Sequence, residues 1–349
     1  MPVITADRPH KHERLVRILD ELDAESILLT RPENLAWYFD GARTQVPIGG
    51  APVCSALVHR DGSAVVTAPE NEADRLAAEE VAGAEFRRVP WYESFAEAPR
   101  GVPTDADAVS ALRAARAPLL PVERERYAEL GRDAAIAVTE VLREARPTMT
   151  EFGLAADLAQ AVHGIGATPS VVLVAGAERG GVQHPIPTSA PLGRRALAVV
   201  TAVRHGLHVS FSRWVRFAGT EPSAVETLRE VEAEVFAATR PGRALSAVVA
   251  NIATAYERHG LGSPEHPAWL AHHQGGPTGY LGRDPKANPH SADLVAAGGA
   301  FAWNPWVPHA KLEDTVIVDE AGPLILTTDP AWPTTTVRGI PRPLTLDLT

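Results

Sequence analysis

The sequence predicts an α+β protein of two domains, and three observations carry that expectation. Over residues 1–118, helical and strand-like segments alternate at short intervals, the mark of a small layered α/β domain. From residue 119 to 349 the pattern changes to longer helices rich in Ala, Glu and Arg, residues that favour helix intrinsically. In that second part a unit of long helix, Arg-Pro, short loop and capped helix occurs twice, about ninety residues apart, and strand-like sequence follows each copy. A duplicated unit of this kind implies two similar stacked halves.

In the first domain, His12 to Asp23 is amphipathic, with Leu15, Ile18, Leu19 and Leu22 on one face. Ser26 to Thr30 is a short buried strand, and Pro32 to Phe39 a second helix ending near Gly41. Ala56–His59 and Ala64–Thr67 flank Asp61-Gly62, a dipeptide suited to a tight hairpin turn. Asn71 to Glu80 is helical. Asp105 to Arg116 closes the domain as a helix capped by Thr104, and Pro118 to Pro121 is the linker. No catalytic motif occurs in this part.

The second domain opens with a helix from Glu123 to Ala145, stopped at Arg146-Pro147, and Thr150 caps the next helix. Ser170 to Ala175 then reads as a strand. The second copy runs as a helix from Glu221 to Thr239, a stop at Arg240-Pro-Gly242, and a helix from Ser246 to His259. Strand-like Phe301-Ala-Trp303 and Asp314–Val318 follow it. Between them lies His272-His-Gln-Gly-Gly-Pro-Thr-Gly-Tyr-Leu-Gly-Arg-Asp284. Glycine this dense lets backbone pass close to a ligand or turn with positive φ. Two imidazoles and a guanidinium beside such backbone could form a polar pocket floor.

Composition narrows the function. The 349 residues carry a formal net charge of −10, with basic residues scattered, which argues against nucleic acid or an anionic membrane as partner. The single cysteine, Cys54, rules out an internal disulfide and a cysteine-based zinc cluster. That suits a reducing cytoplasm. The first residues lack a basic start followed by an apolar core, and no apolar run is long enough to span a membrane, so neither signal peptide nor membrane span is expected.

Together, and over nearly the whole chain, these features resemble the creatinase and aminopeptidase P family, whose fold is called pita-bread. Arg146-Pro-Thr-Met-Thr-Glu151 is similar to its Arg-Pro-Gly-x-Thr-Glu turn. His184-Pro-Ile-Pro187 resembles its His-x-x-Pro segment. Gly206-Leu-His-Val-Ser-Phe-Ser-Arg213 resembles Gly-Tyr-x-x-Asp-x-Thr-Arg, and His272 onward the His-Gly-x-Gly-His strand and turn. Trp303-Asn-Pro305 stands where x-Glu-Pro is expected, and Leu312-Glu-Asp314 where x-Glu-Asp closes the site. Order and spacing carry the resemblance. It implies a small creatinase-like N-terminal domain, a C-terminal pita-bread domain with an internal pseudo-twofold repeat, and a homodimer.

Peptidases of this family hold two metal ions through two aspartates, a histidine and two glutamates. Carried over by position, these fall near Val199 and on Ser210, Gly276, Asn304 and Glu313. Only Glu313 is a strong oxygen ligand, and no aspartate lies anywhere from Ala190 to Gly219. A divalent cation needs several anionic or imidazole ligands to offset its dehydration, so no dinuclear metal centre and no cofactor are expected.

Creatinase-like members hydrolyse a carbon–nitrogen bond without metal, and the resemblance then implies roles for particular residues. His184 matches the histidine that carries the proton. Gly282-Arg-Asp284 is similar to Gly-Arg-Glu, whose arginine grips a substrate carboxylate by two hydrogen bonds. His208 stands where creatinase has a tyrosine touching substrate. The glutamates that bind creatine's guanidinium-like group fall on Ser212 and Asn304, so creatine itself is not the expected substrate. Glu313 is a general base, an amine-binding carboxylate, or a buried partner of Arg283. Of His272 and His273, strand alternation predicts that one points inward. Asn304, Trp303 and Trp306 shape the pocket.

The expected function is a metal-independent hydrolase, or an enzyme that rearranges or cyclises, acting on a small amino-acid-like substrate that carries a carboxylate. His184 and Glu313 are its catalytic residues. Arg283, His208, His272, His273, Asn304 and Trp303 bind substrate. The alternatives are a ligand-binding protein without catalysis, and an Xaa-Pro-type peptidase with a metal site rebuilt from His184, His208, His272 or His273 with Glu313.

Overall fold

The computed structural model describes residues 4–349, which form two compact units. The first runs to Arg126 and takes in Arg204–Leu207; the second comprises Tyr127–Val203 and His208–Thr349.

The first unit is a four-stranded sheet with helices. Its elements are α1 (Arg8–Glu21), β1 (Ser26–Leu29), α2 (Pro32–Tyr38), β2 (Ser55–His59), β3 (Ala64–Pro69), α3 (Glu70–Arg75), β4 (Glu85–Val89) and α4 (Val109–Arg116). Strand order is β1-β2-β3-β4, antiparallel except for the parallel β3–β4 pair. The Asp61-Gly62 turn joins β2 to β3 as expected, with Gly62 at φ +89°. Two helices differ from expectation. The segment Asn71–Glu80 begins as α3 and ends in a π-helical turn, Leu76–Glu80. The last helix starts at Val109, four residues later than the sequence suggests. Asp105 is instead buried, and its carboxylate accepts hydrogen bonds from Thr30 N, Thr30 Oγ1 and Arg31 N (each 2.8 Å) and Asn34 Nδ2 (3.0 Å). A carboxylate facing the first turn of α2 satisfies donors that otherwise lack partners, which opposes its use inside a helix of its own.

The second unit repeats one plan twice. The first half has α5 (Pro121–Arg143, whose first turns belong to the first unit), α6 (Glu151–Gly164), β5 (Thr168–Ala175), β6 (Arg195–Arg204) and β7 (Leu207–Arg216). The second has α7 (Ser223–Ala238), α8 (Leu245–Arg258), β8 (Gly275–Thr278), β9 (Gly299–Trp303), the short pair β10 (Trp306–Val307) and β11 (Ala310–Lys311), then β12 (Asp314–Asp319) and β13 (Gly322–Ile325). A hairpin of β14 (Thr334–Val337) and β15 (Ile340–Pro343) and the edge strand β16 (Leu346–Asp347) finish the chain. The main sheets run β16-β7-β6-β5 and β13-β12-β9-β8, so each half lays its strands down in the same order. Thr150 caps α6 as expected, accepting from Gly153 N at 3.1 Å.

The two sheets meet at β7 and β12. Ser210 N donates to Thr315 Oγ1 (2.8 Å), Thr315 Oγ1 donates to Ser210 O (2.9 Å), and Ser212 N donates to Glu313 O (2.9 Å). Just beside this seam lies a buried charge cluster. Arg342 of β15 donates from Nε to Glu232 Oε2 of α7 and from Nη2 to Asp314 Oδ2 of β12, both at 2.7 Å. Arg213 of β7 donates to Asp314 Oδ1 at 2.9 Å, and Thr327 Oγ1 to the same oxygen at 2.6 Å. Arg342, Glu232 and Asp314 are essentially without solvent contact. Burial, opposed by Arg342, raises the Glu232 carboxyl to about 7.

Removing one member of a buried pair leaves an uncompensated charge and costs about 3–5 kcal/mol, whereas an exposed pair is worth less than about 1 kcal/mol. Arg342→Met should therefore lower unfolding free energy in urea by about 3–5 kcal/mol. Arg60→Met, which breaks the exposed pair with Asp20, should lower it by less than about 1 kcal/mol. Equal losses would contradict this assignment.

Candidate functional site

Three imidazoles come together between β5 and β8. His184, in the loop after β5, places its Nε2 3.2 Å from Nε2 of His272. The His272 and His273 rings stack at 4.3 Å between centroids, and His184 stacks on His273 at 5.6 Å. The expectation that only one of the adjacent pair points inward is corrected here. Both residues precede β8, which begins at Gly275, so strand alternation does not govern them. Trp306 of β10 tilts toward the His272 ring at 6.3 Å.

A second group centres on Glu313, just ahead of β12. Arg283 forms an ion pair with it and also donates to Gly282 O. Lys311 Nζ lies 3.8 Å from the other Glu313 oxygen, too far for a hydrogen bond. Lys311 and Glu313 are both buried. Two cations thus share one carboxylate. Residues two apart on an extended segment face the same way, so the spacing of Lys311 and Glu313 was the signal for this missed residue.

Charge links the two groups. Desolvation lowers the proton affinity of His184, with the positive charges of Lys311 and Lys286 adding to it and Glu313 opposing. Desolvation, then Lys311, pushes His272 down to about 2; desolvation, then Arg283, pushes His273 down to about 3. Lys311 is itself lowered, chiefly by burial. Several buried polar atoms lack a partner within the described residues: Nδ1 of His272 and of His273, Arg283 Nε, Asn304 Oδ1, Ser212 Oγ and Trp306 Nε1. Buried polar atoms without a protein partner call for water, an ion or a ligand to complete them.

The remaining candidates fall nearby with different parts. His208 of β7 lies outside the histidine cluster; its backbone N (2.8 Å) and ring Nδ1 (3.2 Å) both approach Gly279 O, in the turn that leads to Arg283. Asn304 is held by its backbone N on Gln274 O at 3.0 Å. Trp303 was expected to shape the pocket, and its Nε1 is buried without a partner among the described residues. It is fully buried in the core of α7 and α8, stacked with Phe301 at 6.0 Å, because it points to the helical face of β9. The aromatic ring beside the histidines is Trp306.

The donors at the five family metal positions do not fit a dinuclear centre. Val199 packs with Ala175, Leu197 and Trp214 in an apolar cluster. Ser210 Oγ is bonded to Thr201 Oγ1 at 2.9 Å. Gly276 has φ +143°, and a Cβ there would lie 2.7 Å from Pro285 O, so a histidine needs a different backbone. Glu313, the remaining anion, is already taken by Arg283. The imidazoles of His184, His272 and His273 are a separate donor set, each offering one atom, all within 4.8 Å.

The two lowered histidines make stability depend on pH. In the unfolded chain they bind protons near pH 6.5, about 3.5–4.5 pH units above their folded values. Between those limits the unfolded state holds more protons, so stability is full above the unfolded value and falls as pH drops through the window. Urea midpoints of chelator-treated protein should decline from about pH 7.5 to about pH 5, and His273→Gln should reduce the decline. An identical decline in the variant would contradict the shift.

Among solved structures, the dipeptidase PepE from Mycobacterium ulcerans superimposes with a TM-score of 0.75 at 19% identity, over 95% of this chain and 98% of its own. The Xaa-Pro dipeptidase from Bacillus anthracis gives 0.72 at 15%, over 98% and 100%. The N-terminal domain of FACT complex subunit SPT16 from Cicer arietinum gives 0.63 at 13%, over 92% and 97%. Identities this low establish a shared fold alone. No curated protein matches the chain. No helix among the described residues is long and apolar enough to cross a membrane. The sequence profile of metallopeptidase family M24 matches residues 125–320, more than half of the chain, and the protein therefore belongs to that family, the creatinase and aminopeptidase P family with the pita-bread fold.

Proposed function

We propose that this protein hydrolyses a carbon–nitrogen bond in a small amino-acid-like substrate bearing a carboxylate, with His184 as the proton carrier and without a metal ion. The observation that carries the reading is the His184–His272 pair at 3.2 Å, set within the field of two buried cations that share one carboxylate. Family M24 and its fold supply the hydrolase class. The donor set at the dinuclear positions is what argues for a different chemistry.

In this reading His272 stays neutral at physiological pH and accepts from His184 Nε2–H. That leaves the lone pair on His184 Nδ1 for the reacting proton. His184 takes a proton from water as the oxygen attacks the carbonyl carbon, then returns it to the leaving nitrogen as the C–N bond breaks. Burying Arg283 and Lys311 against Glu313 alone leaves one positive charge to be compensated, and a substrate carboxylate supplies it. Glu313 and Asn304 position the polar end, and His208 and His273 border it. Dimerisation and a cytoplasmic location accompany the reading.

A panel of N-carbamoyl amino acids, N-acyl amino acids and dipeptides, followed by amine release, tests it. Turnover should survive saturating chelator, and His184→Gln, at an exposed position, should lower kcat by about 10²–10⁴-fold. Turnover that chelator abolishes, or a His184→Gln variant with unchanged kcat, would overturn the assignment. Saturable binding across the panel with no amine released would favour a ligand-binding protein.

A further inference from the structure

We propose that His184, His272 and His273 form a binding site for a single transition-metal cation of the Zn²⁺, Co²⁺ or Cu²⁺ class, and that occupation of this site silences the proton carrier. The binding part stands apart from the hydrolytic reading; only the silencing rests on it.

One edge of the cluster matches a three-imidazole site, and side-chain rotation closes the others around an ion. The three residues offer one atom each within 4.8 Å of one another. The 3.2 Å separation of the His184 and His272 Nε2 atoms is near the edge of a tetrahedron with metal–nitrogen bonds of about 2.0–2.1 Å, which is about 3.4 Å. His272 is 6% exposed and its Nδ1 is buried without a partner, so the imidazole is not committed elsewhere on that side. His184 is exposed and gives an ion a way in.

The donor chemistry narrows the ion. Imidazole suits Zn²⁺, Cu²⁺, Co²⁺ and Ni²⁺; Ca²⁺ and Mg²⁺ require oxygen ligands that the cluster lacks. Lys311, Lys286 and Arg283 are the cations whose field reaches these imidazoles. They weaken binding by repulsion and make the site a reversible one rather than a permanent metal centre. A cation on His184 Nε2 shifts that ring's proton to Nδ1, so the Nδ1 lone pair on which proton movement depends is lost and the cation acts on the enzyme as an inhibitor.

Tag-free, chelator-stripped protein titrated with Co²⁺ provides the test, read by calorimetry and by visible d–d absorption. One Co²⁺ per chain should bind saturably below millimolar concentration, with the intense bands of low coordination number. His184→Ala, whose thermal midpoint confirms that it folds, should weaken binding by at least about tenfold, the least that losing an outer partner of a metal ligand costs. Lys311→Met should strengthen it by about tenfold through lost repulsion. Absence of saturable binding, or binding that His184→Ala leaves unchanged, would mean an adventitious ion only and overturn the site. The titration needs no substrate, so its failure leaves the hydrolytic reading standing, and a failed turnover assay leaves the titration valid.

Discussion

Glu313, held between Arg283 and Lys311, is the contact on which the site depends. Both the carboxylate and the ammonium are withdrawn from water, where a unit charge without a partner is costly. Arg283 already neutralises Glu313, so a protonated Lys311, whose proton affinity burial lowers, makes the centre electropositive. The same field that lowers the proton affinity of the neighbouring histidines opposes any dication placed beside Glu313 and attracts an anion. Sign of charge, more than shape, separates this site from the two-metal arrangement that the family resemblance implies.

The fold holds that contact from behind. Asp314, the next residue, is bound by Arg342, Arg213 and Thr327, which fixes the start of β12. The seam from Ser212 N to Glu313 O fixes it against the first half of the duplicated unit. Three of the four positions at which the resemblance implies a metal ligand and the chain has none are taken up locally. Val199 packs, Ser210 bonds to Thr201, and Gly276 lets the backbone pass Pro285 and Ala287. Restoring one ligand by substitution would disturb packing or backbone before it restored affinity.

Much of this was legible in the sequence. The duplicated helix units, the Asp61-Gly62 hairpin and the Thr150 cap depend on local patterns of turn and capping residues, and they form where those patterns lie. His184, His272, Arg283 and Glu313 could be found by order along the chain because the family resemblance supplies their places. What escaped were properties set by tertiary neighbours. Strand β6 is buried along most of its length, so it reads as an apolar run without the alternation that marks a strand. The role of Asp105 depends on α2, about seventy residues away in the chain. Trp303 and Trp306 look alike in sequence, and only the packing of α7 and α8 decides which ring joins the core. Lys311 shows its meaning once Glu313 is seen to have another cation as well.

The most direct measurement of the central claim is an anomalous difference map from a crystal soaked in Mn²⁺, an ion that prefers oxygen ligands. The account predicts no peak beside Glu313 and Asn304, with the Arg283–Glu313 ion pair intact. One or two strong peaks bridged by Glu313, with Arg283 displaced, would contradict it.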